Sequence, residues 1–329
     1  MKTATALRLA WLGILCGATA HATAAPSDAA KDYPNKPVRF IVPFVAGAGT
    51  DITARAIAAK LSERWGHQVV VDNRSGAAGT IGVELTAQAT PDGYTLCLIS
   101  ASHSVNAAIN PKLPYDLTRD LQAVSQATSL FYVVYVNPSV PAKSVQELVA
   151  HAKAHPGKLN FGSSGTGGLQ HFAGEMLAHL AGVKLVHVPY KGGAAVISDA
   201  LAGHIQIGFG TLLSTRGHMK AGRLRLLAVS TRERAAAAPE LPTVAESGLP
   251  GYEVDQWYGV ITSAKVPRAI VDKLAGGVAA AIKSPDVAQR FSAEGSTPVG
   301  SRPEQFSAHI RSEINKWRKL VKDARLTLH

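Results

Sequence analysis

Val42-Pro43-Phe44-Val45-Ala46-Gly47-Ala48-Gly49-Thr50-Asp51, running on into Ile52-Thr53-Ala54-Arg55-Ala56-Ile57, holds the densest structural information in this chain. An apolar strand, Val38 to Val42, passes through small residues into a helix. At such a junction the first N–H groups of the helix lack partners and the helix dipole adds positive potential, so the turn favours an anion. The segment therefore predicts an α/β unit whose strand-to-helix turn captures something negatively charged.

Working outward toward the N-terminus, Lys2 and Arg8 precede the apolar run Leu9 to Cys16, and small residues follow at Ala20-His21-Ala22 and Ala22-Thr23-Ala24. This is the pattern of an export signal cleaved near Ala22 or Ala24, because the apolar run is far shorter than the ~20 residues a bilayer needs. The expected location is the periplasm. Cleavage removes Cys16 and leaves Cys97 in the apolar run Leu96-Cys97-Leu98-Ile99, a core position that implies no disulfide. The formal charge of +11 includes the two leader cations. Its basic residues are scattered and aromatics make up only 6% of the chain, which argues against nucleic acid as a partner.

The 329 residues suffice for two domains and hence a cleft. Short apolar strands alternate with helical patterns: strands are expected at Val38–Val42, Gln68–Val71, Thr95–Ile99, Phe131–Val136, Asn160–Gly162, Lys184–Val188, Ile205–Gly208, Leu226–Ser230 and Gly259–Thr262. The helices expected are Asp51–Trp65, Ile81–Gln88, Val145–His155, Leu169–Leu180, Ala194–Ala202, Arg268–Ser284 and Pro303–Asp323. A second turn, Val188-Pro189-Tyr190-Lys191-Gly192-Gly193-Ala194, echoes the first, as if two similar domains faced each other. A third, Phe161-Gly162-Ser163-Ser164-Gly165-Thr166-Gly167-Gly168, adds hydroxyl donors. In open α/β sheets ligands lie beyond the carboxyl ends of the strands, where such turns sit.

Several chemistries fail on spacing. Gly168-Leu169 stands where a P-loop needs Lys-Ser/Thr, Ile52 occupies the third small position of a dinucleotide fingerprint, and no G-x-S-x-G elbow is present. His151 and His155 share a helical face without further metal ligands, so they are read as surface histidines. No catalytic residue, metal or cofactor is expected.

Along nearly the whole mature length the motifs resemble one family. They are Tyr33-Pro34-Asn35-Lys36-Pro37-Val38, the Val42 to Asp51 loop, Asp72-Asn73-Arg74, Pro91-Asp92-Gly93-Tyr94-Thr95-Leu96 and Leu113-Pro114-Tyr115-Asp116. Val188 to Gly193, Leu241-Pro242-Thr243-Val244-Ala245-Glu246-Ser247-Gly248 and Trp257-Tyr258-Gly259 complete the series. Each is weak alone, but their order is specific to the periplasmic receptors of tripartite tricarboxylate transporters, the Bug receptors. The resemblance implies two Rossmann-like α/β domains in a Venus-flytrap arrangement, joined by two crossing strands. The domains it implies are 25–128 with 252–329, and 129–251, after a leader of 1–24. A small organic acid would lie between them, held by backbone amides, hydroxyls and water.

Residues carried over are Phe44, Gly47, Ala48, Gly49, Thr50 and Asp51, then Ser163, Ser164, Thr166 and Gly167. Tyr190 and Gly192 come from the turn read as matching the first, and Trp257 is a wall near the crossing strands. Asp51 is read either as a cap of the helix or as a ligand contact. Two departures stand out: Ala46-Gly47-Ala48 replaces the family's usual Pro-Gly-Gly, and Ser75 stands where Pro is common. The expected partners are the small acid and membrane permease subunits, and the chain is expected to be a monomer. Two further classes share this cleft, an exported enzyme and a receptor that presents ligand to a sensor.

Overall fold

A computed structural model describes residues 30–47, 49–190, 192–293 and 295–324, so the leader, Ala48 and Lys191 lie outside the described residues. Two sheets organise the chain. The first is built from β1 (Val38–Val42), β2 (Val69–Asn73), β3 (Thr95–Ser100), β4 (Leu121–Phe131), β10 (Asp255–Ser263) and β11 (Ser296–Pro298). The second contains β5 (Val133–Val136), β6 (Asn160–Ser163), β7 (Val186–Pro189), β8 (Ile207–Gly210) and β9 (Arg225–Val229). Helices α1 (Gly49–Trp65), α2 (Thr80–Ala87), α3 (Ala101–Ile109), α8 (Arg268–Ile282), α9 (Pro285–Ala293) and α10 (Pro303–Asp323) accompany the first sheet. Helices α4 (Val145–Ala154), α5 (Leu169–Ala181), α6 (Gly193–Ala202) and α7 (Leu212–Lys220) accompany the second.

The strand orders are β11-β4-β10-β3-β1-β2 and β7-β6-β8-β5-β9. Within each, three parallel strands meet an antiparallel one: β1 pairs in parallel with β2 and β3, and β10 runs against β3. Likewise β6 pairs in parallel with β7 and β8, and β5 runs against β8. The lobes thus share one topology, with β1-α1-β2-α2-β3 corresponding to β6-α5-β7-α6-β8. This corrects the expected match between turns. The counterpart of the turn after β1 is the serine-glycine turn after β6, whereas Tyr190 to Gly193 corresponds to the turn after β2.

Local chemistry explains the elements that place these turns. In α1, Ile57 and Leu61 lie one turn apart in the core, and the helix stops at Gly66, whose φ of 68° only glycine adopts freely. The expected single strand Phe131–Val136 is two strands broken at Tyr132, and β4 starts ten residues earlier, at Leu121. This break is one crossover between the lobes, and the chain returns between β9 and β10. Ser230 stitches the two crossovers together. Its N–H donates to the Tyr132 carbonyl (2.9 Å), its hydroxyl accepts from the Tyr132 N–H (2.9 Å) and donates to the Val254 carbonyl (2.6 Å).

Candidate ligand-binding cleft

The first turn is held from below by Asp51, which is 2% exposed. Its carboxylate accepts from the Gly47 N–H, the Arg55 Nε and the Asn73 amide, each at 2.9 Å. The same Asn73 amide donates to the Phe44 carbonyl at 3.1 Å. Burial pushes the carboxyl up, but Arg55, Gly47 and Asn73 outweigh it and hold the group below the usual carboxylate range. Asp51 is therefore the brace of the loop, with both oxygens occupied. Phe44 packs edge-on to His103, ring centroids 5.4 Å apart. Gly49 is close to Tyr258: a Cβ there would stand 2.7 Å from the tyrosine oxygen.

The turn after β2 was not among the expected site residues. Gly76, Ala77, Ala78 and Gly79 have φ values of 135°, 46°, 55° and 90° in succession. Two alanines in the left-handed region cost on the order of 1–3 kcal/mol each, and such strain concentrates at functional turns. Its signal in the sequence is the small-residue run Ser75 to Gly79, which carries no Val-Pro-aromatic echo of the first turn.

In the second lobe the turn after β6 rests on a polar layer. The buried Ser163 hydroxyl donates to the Gly165 carbonyl (3.0 Å) and lies 2.6 Å from His187 Nε2. His187 stacks on His171, centroids 3.8 Å apart, and the Gly167 N–H donates to His171 Nδ1 at 3.2 Å. That acceptor role leaves the His171 proton on Nε2, 3.5 Å from Glu175. Gln170, which sequence reasoning missed, spans the base of the turn: its carbonyl accepts from the Ser164 N–H (2.8 Å) and its amide donates to the Phe209 carbonyl (2.6 Å). Thr166 is exposed, and Gly167 faces Ile109 of the first lobe, a Cβ there falling 3.5 Å from Ile109 Cδ1. Tyr190 donates to Asp199 at 2.7 Å, and Gly192, at φ 114°, precedes α6.

A cavity of about 610 Å³ opens where these second-lobe turns meet the crossing strands. Ser164 and Gln170 approach it from the start of α5, Gly193 and Ala194 from the start of α6, and Thr211 and Ser214 from the start of α7. Three helix N-termini thus converge on one space, and among the described residues no Asp, Glu, Lys or Arg lines it. Converging N–H groups and dipoles without an opposing carboxylate make an anion site in which backbone and hydroxyl donors replace cations. From the first lobe come Leu130, Gln256 and Tyr258. Trp257 is corrected: it is fully buried on the other face of β10, against Phe306 and His309, because side chains alternate along a strand. Its neighbours face the cleft instead. Of the expected residues, Ser164 lines this cavity, Gly49 reaches it through Tyr258, and Thr50 is buried at the start of α1.

Two like α/β lobes, stitched crossovers and a donor-lined cavity at their junction define a two-lobed solute-binding receptor. Residues 53–326 match the model of the tripartite tricarboxylate transporter family receptor, and the chain belongs to that family. A Pseudomonas protein from the tcbD-tcbE intergenic region is 38% identical over 295 residues, 89% of this chain and 88% of its own length. BugT of Bordetella pertussis is 33% identical over 317 residues, 96% of each chain. The R. palustris protein Rpa4515, solved with adipate, superposes with a TM-score of 0.78 at 34% identity, covering 89% of this chain and 99% of that one.

Proposed function

We propose that this receptor captures a small carboxylate between its lobes in the periplasm and passes it to a membrane permease. The observation that carries this reading is the convergence of the α5, α6 and α7 N-termini on a cavity that no acidic side chain lines among the described residues. The adipate held by Rpa4515 supports the same ligand class. In this reading the lobes divide near the expected bounds, 25–128 with 252–329 and 129–251, with the first lobe keeping β4 through Phe131, and the chain acts as a monomer after losing a leader of residues 1–24. The receptor holds its ligand without transforming it. Among the described residues the nearest pair to a nucleophile and base, Ser163 and His187, is consistent with this, since the hydroxyl is buried and directed at the Gly165 carbonyl.

Mechanistically, the carboxylate first meets the donors of one lobe. Rotation about the Tyr132 and Ser230 crossovers then brings the turns of the other lobe onto it, and the ligand favours the closed form by the contacts it makes only there. The test is a thermal-shift panel of carboxylates, amino acids and neutral amides on protein stripped of ligand by unfolding and refolding. A carboxylate at 100 times its dissociation constant adds about 2.7 kcal/mol, a visible rise in melting temperature. A panel in which amides stabilise and no carboxylate does would sink the proposal.

A further inference from the structure

The geometry points to a narrower ligand class, a monocarboxylate with an aryl or alkyl body, an inference that rests on the carboxylate-receptor reading. The cavity is a slot along one face of α6. Ala194, Ile197, Ser198 and Leu201 line it, at the spacing of a single helical face. From Gly193 to Leu201 the helix rises about 12 Å, so polarity changes along the slot. One end offers the free N–H groups at the start of α6, and the other offers Ile197 and Leu201. Leu130, Tyr132 and Phe209 add further apolar surface.

The opposite wall is α7, which contributes Ser214 in its first turn and His218 one turn on. Arg223 Nη2 lies 2.9 Å from His218 Nδ1, and because arginine only donates, Nδ1 accepts and the guanidinium is engaged by His218. A second carboxylate at the far end would lose its water against isobutyl and sec-butyl groups, and among the described residues no Lys or Arg lines the slot to offset the cost. An apolar body there instead gains the burial of its own surface.

Hexanoate and adipate, which share a six-carbon chain and differ by one carboxylate, provide the test, with 3-phenylpropionate as the aryl probe. Calorimetric titration of the stripped protein is expected to show hexanoate and 3-phenylpropionate binding at least about tenfold tighter than adipate. Leu201→Asn is expected to shrink that preference by about tenfold while the variant's melting transition stays cooperative. Adipate binding as tightly as hexanoate would overturn the inference and leave the receptor reading intact. No heat with any of the three acids, alongside binding of a neutral amide, would overturn both.

Discussion

Asp51 shows how a residue can be conspicuous in a motif while its role lies in the fold. Its carboxylate is the common acceptor for Gly47, Arg55 and Asn73, so removing it leaves the loop N–H of Gly47, Arg55 Nε and one donor of the Asn73 amide without their acceptor. Asp51→Ala is expected to cost about 1–3 kcal/mol by denaturant titration and to weaken ligand binding in step, through the loop. Retained stability with lost binding would instead make Asp51 a ligand contact. Gly259 is fixed by packing: a Cβ there would lie 2.1 Å from the Phe306 ring. Gly259→Ala should cost about 1–3 kcal/mol, and Phe306→Leu in the same chain should recover part of it. An alanine variant as stable as the parent would contradict this placement. The Trp257-Tyr258-Gly259 motif was legible, but not which of its side chains faces ligand. That depends on strand parity, which the half-polar β4 and β10 partners do not reveal in sequence.

At the scale of elements, the apolar strands β1, β3 and β9 and the amphipathic α8 and α10 stand out because one face or both are buried. β4 escaped because Leu121–Phe131 carries Gln, Ser and Thr among its alanines. Helix α3 escaped because it follows β3 directly, with Ser100 ending one element and capping the next and no glycine or proline between them. The pairing of turns was misjudged for a different reason: residue likeness between Val42-Pro43-Phe44 and Val188-Pro189-Tyr190 is local, whereas equivalence is set by strand order. The Ser230 stitch gives the crossovers a specific dependence. Ser230→Ala removes one donor and one acceptor from buried backbone partners, and hydrogen exchange at Tyr132 should quicken relative to the sheet cores. Unchanged exchange there would show that the backbone bonds alone hold the hinge.

Across the whole molecule, three desolvated imidazoles and the carboxyl of Asp255 set opposing pH dependences. Burial holds His103 and His187 down to about 4, and His309 below its ordinary value, so the unfolded chain binds more protons as pH falls below about 6.5. Their contribution to stability is lost on acidification toward about 4. Asp255 works the other way: burial raises it to about 7 against the pull of Lys316, with Glu253 and Glu313 adding to the rise. Its contribution is present below its unfolded value and lost as pH rises through about 7. Three imidazoles outweigh one carboxyl, so stability should climb between about pH 4.5 and 6.5, and Asp255→Asn should steepen that climb in urea titrations. A flatter profile for the variant would reverse the assignment.

The family and the two-lobed class were legible from ordered motifs, while the α6–α7 slot was not, since Ile197, Leu201 and His218 belong to no motif and meet only in the folded lobe. Capture by lobe closure is the central claim, and small-angle X-ray scattering on stripped protein tests it most directly. Adding a carboxylate that raises the melting temperature should shrink the radius of gyration and sharpen the shape, with Ser230 and Tyr132 as the pivot. A tight ligand that leaves the scattering curve unchanged would contradict it.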